Sequence, residues 1–167
     1  SAMLITQGII GTVLTLYLNQ VMKLDLGLIG IVLTARTGGY ITATLSADYL
    51  SGKFGRRRTI MAAMLIEGAA FCAYTVISRF DLFLLAGTID GFGEGIVFTS
   101  LIILLSEAVP SHVRGGSIGL YRTAMDIGGF VGPVPFLFAF DNLGAASPFF
   151  FSIAILALNI VLLTTMR

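Results

Sequence analysis

Six stretches of about twenty predominantly apolar residues follow one another along this chain, and a helix of that length spans the roughly 30 Å hydrocarbon core of a bilayer. They run from about Met3 to Met22, Leu28 to Leu50, Thr59 to Ile77, Leu82 to Leu105, Ser117 to Ala139 and Pro148 to Thr165. The connections are short: Lys23 to Gly27, Ser51 to Arg58, Ser78 to Asp81, Ser106 to Gly116 and Phe140 to Ser147. Each holds charges or turn formers, Gly52, Gly55, Pro110 and Gly144 among them. No stretch alternates apolar and polar residues with a period of two, and strands of a membrane barrel would be about half as long, so a β-barrel is disfavoured. The pattern predicts an all-α membrane protein, a single domain over residues 1–167 built as a six-transmembrane-helix bundle. Composition agrees: 11% charged residues and 56% hydrophobic ones fall well short of the roughly 25% charge of a water-facing domain. Lipid is therefore the expected solvent and partner for most of the surface.

Several function classes are excluded early. The formal net charge is +1, and the basic residues gather at one connection rather than along a binding face, so no nucleic-acid partner is expected. The one cysteine, Cys72, sits in an apolar run and cannot form an intrachain disulfide. The one histidine, His112, lies in the Ser111–Val113 loop, far from the bilayer depth at which an intramembrane protease would need it, and no H-E-x-x-H pattern is present. No catalytic residue, cofactor or metal is expected. The start, Ser1-Ala2-Met3, runs directly into an apolar stretch without a basic segment or cleavage pattern, so no signal peptide is expected. Ser1-Ala2 has the form of a cloning remnant, and a first helix beginning at once fits a chain cut from a longer parent.

Basic residues also set an orientation. Lys53, Arg56, Arg57, Arg58, Arg114 and Arg167 fall on one side of the six spans, and Lys23 and Arg79 on the other. By the positive-inside rule both chain ends are expected in the cytoplasm, with the inner (plasma) membrane as the location.

Ionisable residues inside spans cost about 2.5 to 3.5 kcal/mol each at mid-bilayer on insertion scales, so they mark interior faces or water-filled cavities. Arg36, Glu67, Asp90, Glu94, Arg122 and Asp126 are of this kind. Asp90 and Glu94 are four residues apart and of the same sign; both cannot ionise cheaply in a low dielectric, so one is expected to exchange a proton near neutral pH. Arg36, near mid-span, either binds an anionic solute group or pairs with a carboxylate of another helix, and the pair is preferred. These three are the candidates for substrate binding or proton coupling. Glu67 reads as a satisfied polar contact. Arg122 and Asp126, also four apart, can meet as an ion pair that offsets part of its own burial. Gly128-x-x-x-Gly132 forms a small-residue face that permits close helix approach, with Pro133 interrupting the helical ladder beside it.

Two segments carry a family resemblance. The connection from Ser46 to Arg58 resembles the loop signature G-x-x-x-D-R-x-G-R-R of the major facilitator superfamily: Lys53, Gly55, Arg56 and Arg57 match, while Asp48 stands at the first glycine and Gly52 at the aspartate. Farther on, Gly87 to Gly93, Leu105 to Pro110 and Arg114 to Pro133 resemble the fourth and fifth helices of a facilitator half, nearest to the C-terminal half. Gly87 occupies the position of the arginine usual in the fourth helix of the first half. The G-x-x-x-G-P stretch resembles an ion-leak seal of antiporters but lacks the terminal glycine pair of that pattern.

The resemblance implies one half, or repeat, of a facilitator fold: half of a secondary active transporter that moves a small solute by alternating access, with proton coupling, and that carries no enzyme activity. It further implies a second six-helix half, from another chain or a second copy, and a gating role for the cytoplasmic loop residues Asp48, Gly52, Lys53, Gly55, Arg56, Arg57 and Arg114 together with Arg122 and Asp126. The alternative is a non-transporting membrane binding or scaffold protein derived from such a half.

Overall fold

A computed structural model describes residues 8–165. Residues 1–7, which hold Ser1-Ala2 and the start of the first expected span at Met3, and Met166 and Arg167 lie outside the described residues. Within them the chain is an all-α bundle, without a strand among the described residues.

The first helical segment, α1 (residues 8–21), holds two π-helical stretches, Ile9–Leu14 and Tyr17–Val21. Such wide turns close hydrogen bonds over one residue more than an α-helix, as in the Met22 amide bonded to the Tyr17 carbonyl at 3.2 Å. The segment ends at Lys23, whose φ of 52° is a left-handed conformation that costs a side-chain-bearing residue about 1–2 kcal/mol. Then follow α2 (Leu26–Phe54), α3 (Arg56–Val76), α4 (Phe80–Ala108), α5 (Arg114–Val131), α6 (Pro133–Leu143) and α7 (Ser147–Thr165). Among the described residues five runs are long and apolar enough to cross a membrane: α2, α3, α4, the α5–α6 run Arg114–Leu143, and α7.

Two junctions differ from the sequence expectation for reasons visible in the backbone. The connection expected over Ser51–Arg58 is almost wholly wound into helix, so that Gly55 alone separates α2 from α3. Its φ of 85° is cheap only for glycine, and its amide still bonds to the Ser51 carbonyl at 3.0 Å. Between α5 and α6 the axis is interrupted only at Gly132, since Pro133 and Pro135 have no N–H to return to the preceding turn. Gly132 itself keeps helical torsions and bonds to the Gly128 carbonyl at 2.7 Å.

The central contact of the bundle is α2 against α4. Gly39, Ala43, Ala47 and Ser51 are buried along one face of α2, and Gly87, Gly91 and Gly95 along one face of α4. A Cβ added to Gly91 would overlap the Arg36 carbonyl oxygen, and one added to Gly39 would overlap that of Thr88. In lipid, where apolar side chains gain little by leaving the solvent, such backbone-to-backbone approach holds helices together by van der Waals packing. The other flank of α4 packs on α3, where Gly93 lies over the Ala63 carbonyl and Glu67 Cβ. Beyond α3 lies α7, and α1 meets α6 where Gly8 abuts Gly132 and Phe136. Tyr17, Phe71, Tyr74, Phe83 and Phe149 join α1, α3, α4 and α7 in one aromatic cluster, with Tyr74 and Phe83 stacked at 5.7 Å. Outward faces remain apolar, with Leu45, Val76 and Phe130 at least 79% exposed, as hydrocarbon contact permits and water would not.

Candidate functional site: a buried charge cluster

The close approach of α2 and α4 places Arg36 opposite two successive turns of α4. Its Nε donates to Asp90 Oδ2 at 2.9 Å, and its Nη2 donates to Glu94 Oε2. The preferred pairing of Arg36 is therefore the one found, and it engages both carboxylates. The i, i+4 spacing of Asp90 and Glu94 puts both on one face of α4, within the span of a single guanidinium fork. All three side chains are buried, Asp90 completely. Taking such charges out of solvent costs several kcal/mol per ion, which only close mutual pairing offsets.

From α3 come two further groups. Tyr74 donates its hydroxyl to Asp90 Oδ2 at 3.2 Å. Glu67, two helical turns earlier on the same face, is 2% exposed. Rather than being a satisfied polar contact, its carboxyl has no hydrogen bond or ion pair among the described residues, and its Cβ packs against Gly93 of α4. Asp90 Oδ1 is buried without a hydrogen-bond partner among the described residues. The cluster thus sets one guanidinium and one phenol against two carboxyl groups. Sequence reasoning selected Arg36, Asp90 and Glu94 but passed over Tyr74 and the role of Glu67; the signal was their spacing of seven, which stacks them on one face of a helix.

Other candidates fall elsewhere. Asp48, Gly52, Lys53, Gly55 and Arg57 are exposed around the α2–α3 junction. Arg56 reaches across to the end of α4, with Nη2 on Glu107 Oε1 at 2.8 Å, and Lys53 Nζ lies 5.4 Å from the Phe54 ring centroid. Arg114 opens α5 and is exposed. Arg122 and Asp126 are exposed on α5, and among the described residues they form no ion pair with each other. With the cation on the N-terminal side, the two side chains lean in the less favourable order for an i, i+4 pair. Gly128 and Gly132 are buried, and Pro133 begins α6.

A family model described as Major Facilitator Superfamily matches residues 1–167, the whole chain. The chain belongs to the major facilitator superfamily. Its bundle is one half of the fold of that superfamily, and it is an integral membrane protein. An uncharacterized MFS-type transporter of Methanocaldococcus jannaschii is 30% identical over 118 residues, a match covering 71% of this chain and 30% of that protein. The 4-hydroxybenzoate transporter of Acinetobacter baylyi is 27% identical over 118 residues, covering 68% of this chain and 26% of that protein. The arabinose-proton symporter of Bacillus subtilis is 24% identical over 106 residues, covering 64% and 23%. The chain thus spans about a third or less of these relatives.

Proposed function

We propose that this facilitator chain forms one wall of a secondary active transporter for a small solute, working by alternating access against a second six-helix half. That half is another segment or chain, or a second copy related by the parallel pseudo-two-fold of the superfamily. On this reading the protein resides in the inner membrane with both ends in the cytoplasm, and Lys53, Arg56 and Arg57 belong to its cytoplasmic gate, with Asp48, Gly52, Gly55, Arg114, Arg122 and Asp126 around it. Relatives named for 4-hydroxybenzoate and for arabinose with a proton support a small organic solute and proton coupling.

The observation that carries the reading is the Arg36–Asp90–Glu94 cluster. A structural ion pair needs one carboxylate per guanidinium, whereas here a second shares the same cation. Protonation of either carboxyl leaves the other paired, so proton uptake does not strand a charge in lipid. Arg36 also supplies the positive charge that an anionic solute group would meet if it displaced a carboxylate.

The test is uptake into liposomes that hold this chain together with the complementary half, with and without an imposed pH gradient. Gradient-driven uptake is expected, and Glu94→Ala is expected to abolish its dependence on the gradient. Uptake that ignores the gradient, or a Glu94→Ala protein with unchanged coupling, would sink the proton reading. A folded bundle that gives no flux in any combination would favour the non-transporting alternative.

A further inference from the structure

The end of the bundle at Gly55 gathers Lys53, Arg56, Arg57 and Arg58 within six residues, where two membrane-spanning helices stop. A helix favours acidic residues in its first turn, because its backbone dipole is positive there. The first turn of α3 holds three arginines instead, with no acidic residue and no side-chain cap. Among the described residues the chain offsets one of the four cations: Arg56 donates to Glu107 at 2.8 Å. Lys53, Arg57 and Arg58 are exposed and form no ion pair among the described residues, and neither does Asp48, the other acid toward this end. Three crowded positive charges are thus left to an anion from outside the chain. The helix faces that lead away from them suit acyl chains. Arg58, Ala62, Leu65, Ala69, Cys72 and Val76 recur at helical spacing and are all exposed, so a guanidinium heads an apolar stripe along the outside of α3. Lys53 heads Tyr49, Leu45 and Ile41 on α2, all exposed as well. Phe54, 54% exposed, has its ring centroid 5.4 Å from Lys53 Nζ, an aromatic group where headgroups lie.

We propose that Lys53, Arg57 and Arg58 form a headgroup site for an anionic phospholipid, holding its phosphate while its acyl chains lie along the exposed faces of α2 and α3. Long basic side chains on either side of a one-residue junction can converge on a phosphate from two helices, and the guanidinium fork matches its oxygens. The net charge of the headgroup selects the lipid. At this junction four cations face Asp48 and Glu107, so the surplus is positive. A zwitterionic headgroup, whose ammonium cancels its phosphate, leaves that surplus unmet; an anionic one neutralises it. The site sets no condition on flux, and its assignment to the inner leaflet alone rests on the orientation proposed above.

Native mass spectrometry of the full chain in detergent, titrated with dioctanoyl phosphatidylglycerol, measures the affinity without a flux assay. Each basic residue near anionic lipid strengthens association roughly fivefold. Phosphatidylglycerol is therefore expected to bind on the order of 100-fold more tightly than dioctanoyl phosphatidylcholine or phosphatidylethanolamine. The combined Lys53→Gln, Arg57→Gln and Arg58→Gln protein is expected to lose that preference. Arg58→Gln alone should lose about fivefold, and Arg79→Gln, at an exposed arginine between α3 and α4, should lose none. Arg58→Gln alters one exposed side chain, so it decides the matter even if the triple variant fails to fold. Equal affinity for phosphatidylglycerol and either zwitterionic lipid, a preference undiminished by Arg58→Gln, or an equal loss in Arg79→Gln would each overturn the proposal. Displacement of phosphatidylglycerol by inorganic phosphate, at ionic strength held constant with chloride, would overturn it too, by assigning the three cations to a free anion.

Discussion

Helices α4 and α5 both carry charged residues four apart within apolar runs, yet they treat them oppositely. On α4 the pair Asp90 and Glu94 is buried and met across the helix contact by Arg36 and Tyr74. On α5 the pair Arg122 and Asp126 is exposed, and Gly128 is the buried residue of the helix. The α4 face is lined with glycines that admit a neighbouring backbone, whereas Gly115, Gly116 and Gly119 of α5 meet nothing within 4 Å. Charge in a span is thus placed in two ways: by pairing within the chain on α4, and by facing outward on α5. The second six-helix half proposed above is the natural counterpart for α5.

That contrast can be broken most sharply at its cation. Arg36→Met leaves two buried carboxylates without a partner and is expected to cost about 3–5 kcal/mol, measured as SDS-driven unfolding followed by far-UV circular dichroism. Arg122→Gln on the exposed face is expected within about 0.5 kcal/mol of wild type. Equal losses for the two would end the comparison. Adding Asp90→Asn and Glu94→Gln to Arg36→Met should restore much of the stability, because the stranded charges go with them.

A smaller effect is expected from the backbone contact. Gly91→Ala drives a methyl group into the Arg36 carbonyl and should destabilise by about 1–3 kcal/mol as overpacking. Tyr74→Phe removes one hydrogen bond to Asp90 and should cost about 1.5 kcal/mol, read from the same unfolding curves. Smallest, and opposite in sign, is Gly119→Ala, where open space and better helix propensity should stabilise by about 0.5–1 kcal/mol. A destabilising Gly119→Ala would mean that α5 is packed in the chain as isolated.

The sequence made the fold class legible because hydropathy over a bilayer-length window depends on local composition alone. The carboxylate pair of α4 was equally legible, since i, i+4 spacing is local. What was not legible is which helix faces meet. Arg36 could be assigned a carboxylate partner in kind, but the engagement of both Asp90 and Glu94 follows from the glycine-lined approach of α2 to α4. Arg122 and Asp126 had the spacing of a pair and did not form one, because spacing places two side chains on one face without making their orientation favourable. Glu67 looked like a contented polar residue because its isolation depends on what α2 and α4 have already committed to each other. The π-helical stretches of α1 left no signal that apolar periodicity could detect.

The junction at Gly55 has a mechanical side. Two helices, α2 and α3, turn back on each other through a single residue, and a connection so short stores no slack. If α2 tilts or slides, α3 is dragged with it at that end, and the Arg56–Glu107 contact ties the same corner to α4. Displacement at the charge cluster and displacement at the junction are then two readings of one motion, with Gly55 as its fulcrum.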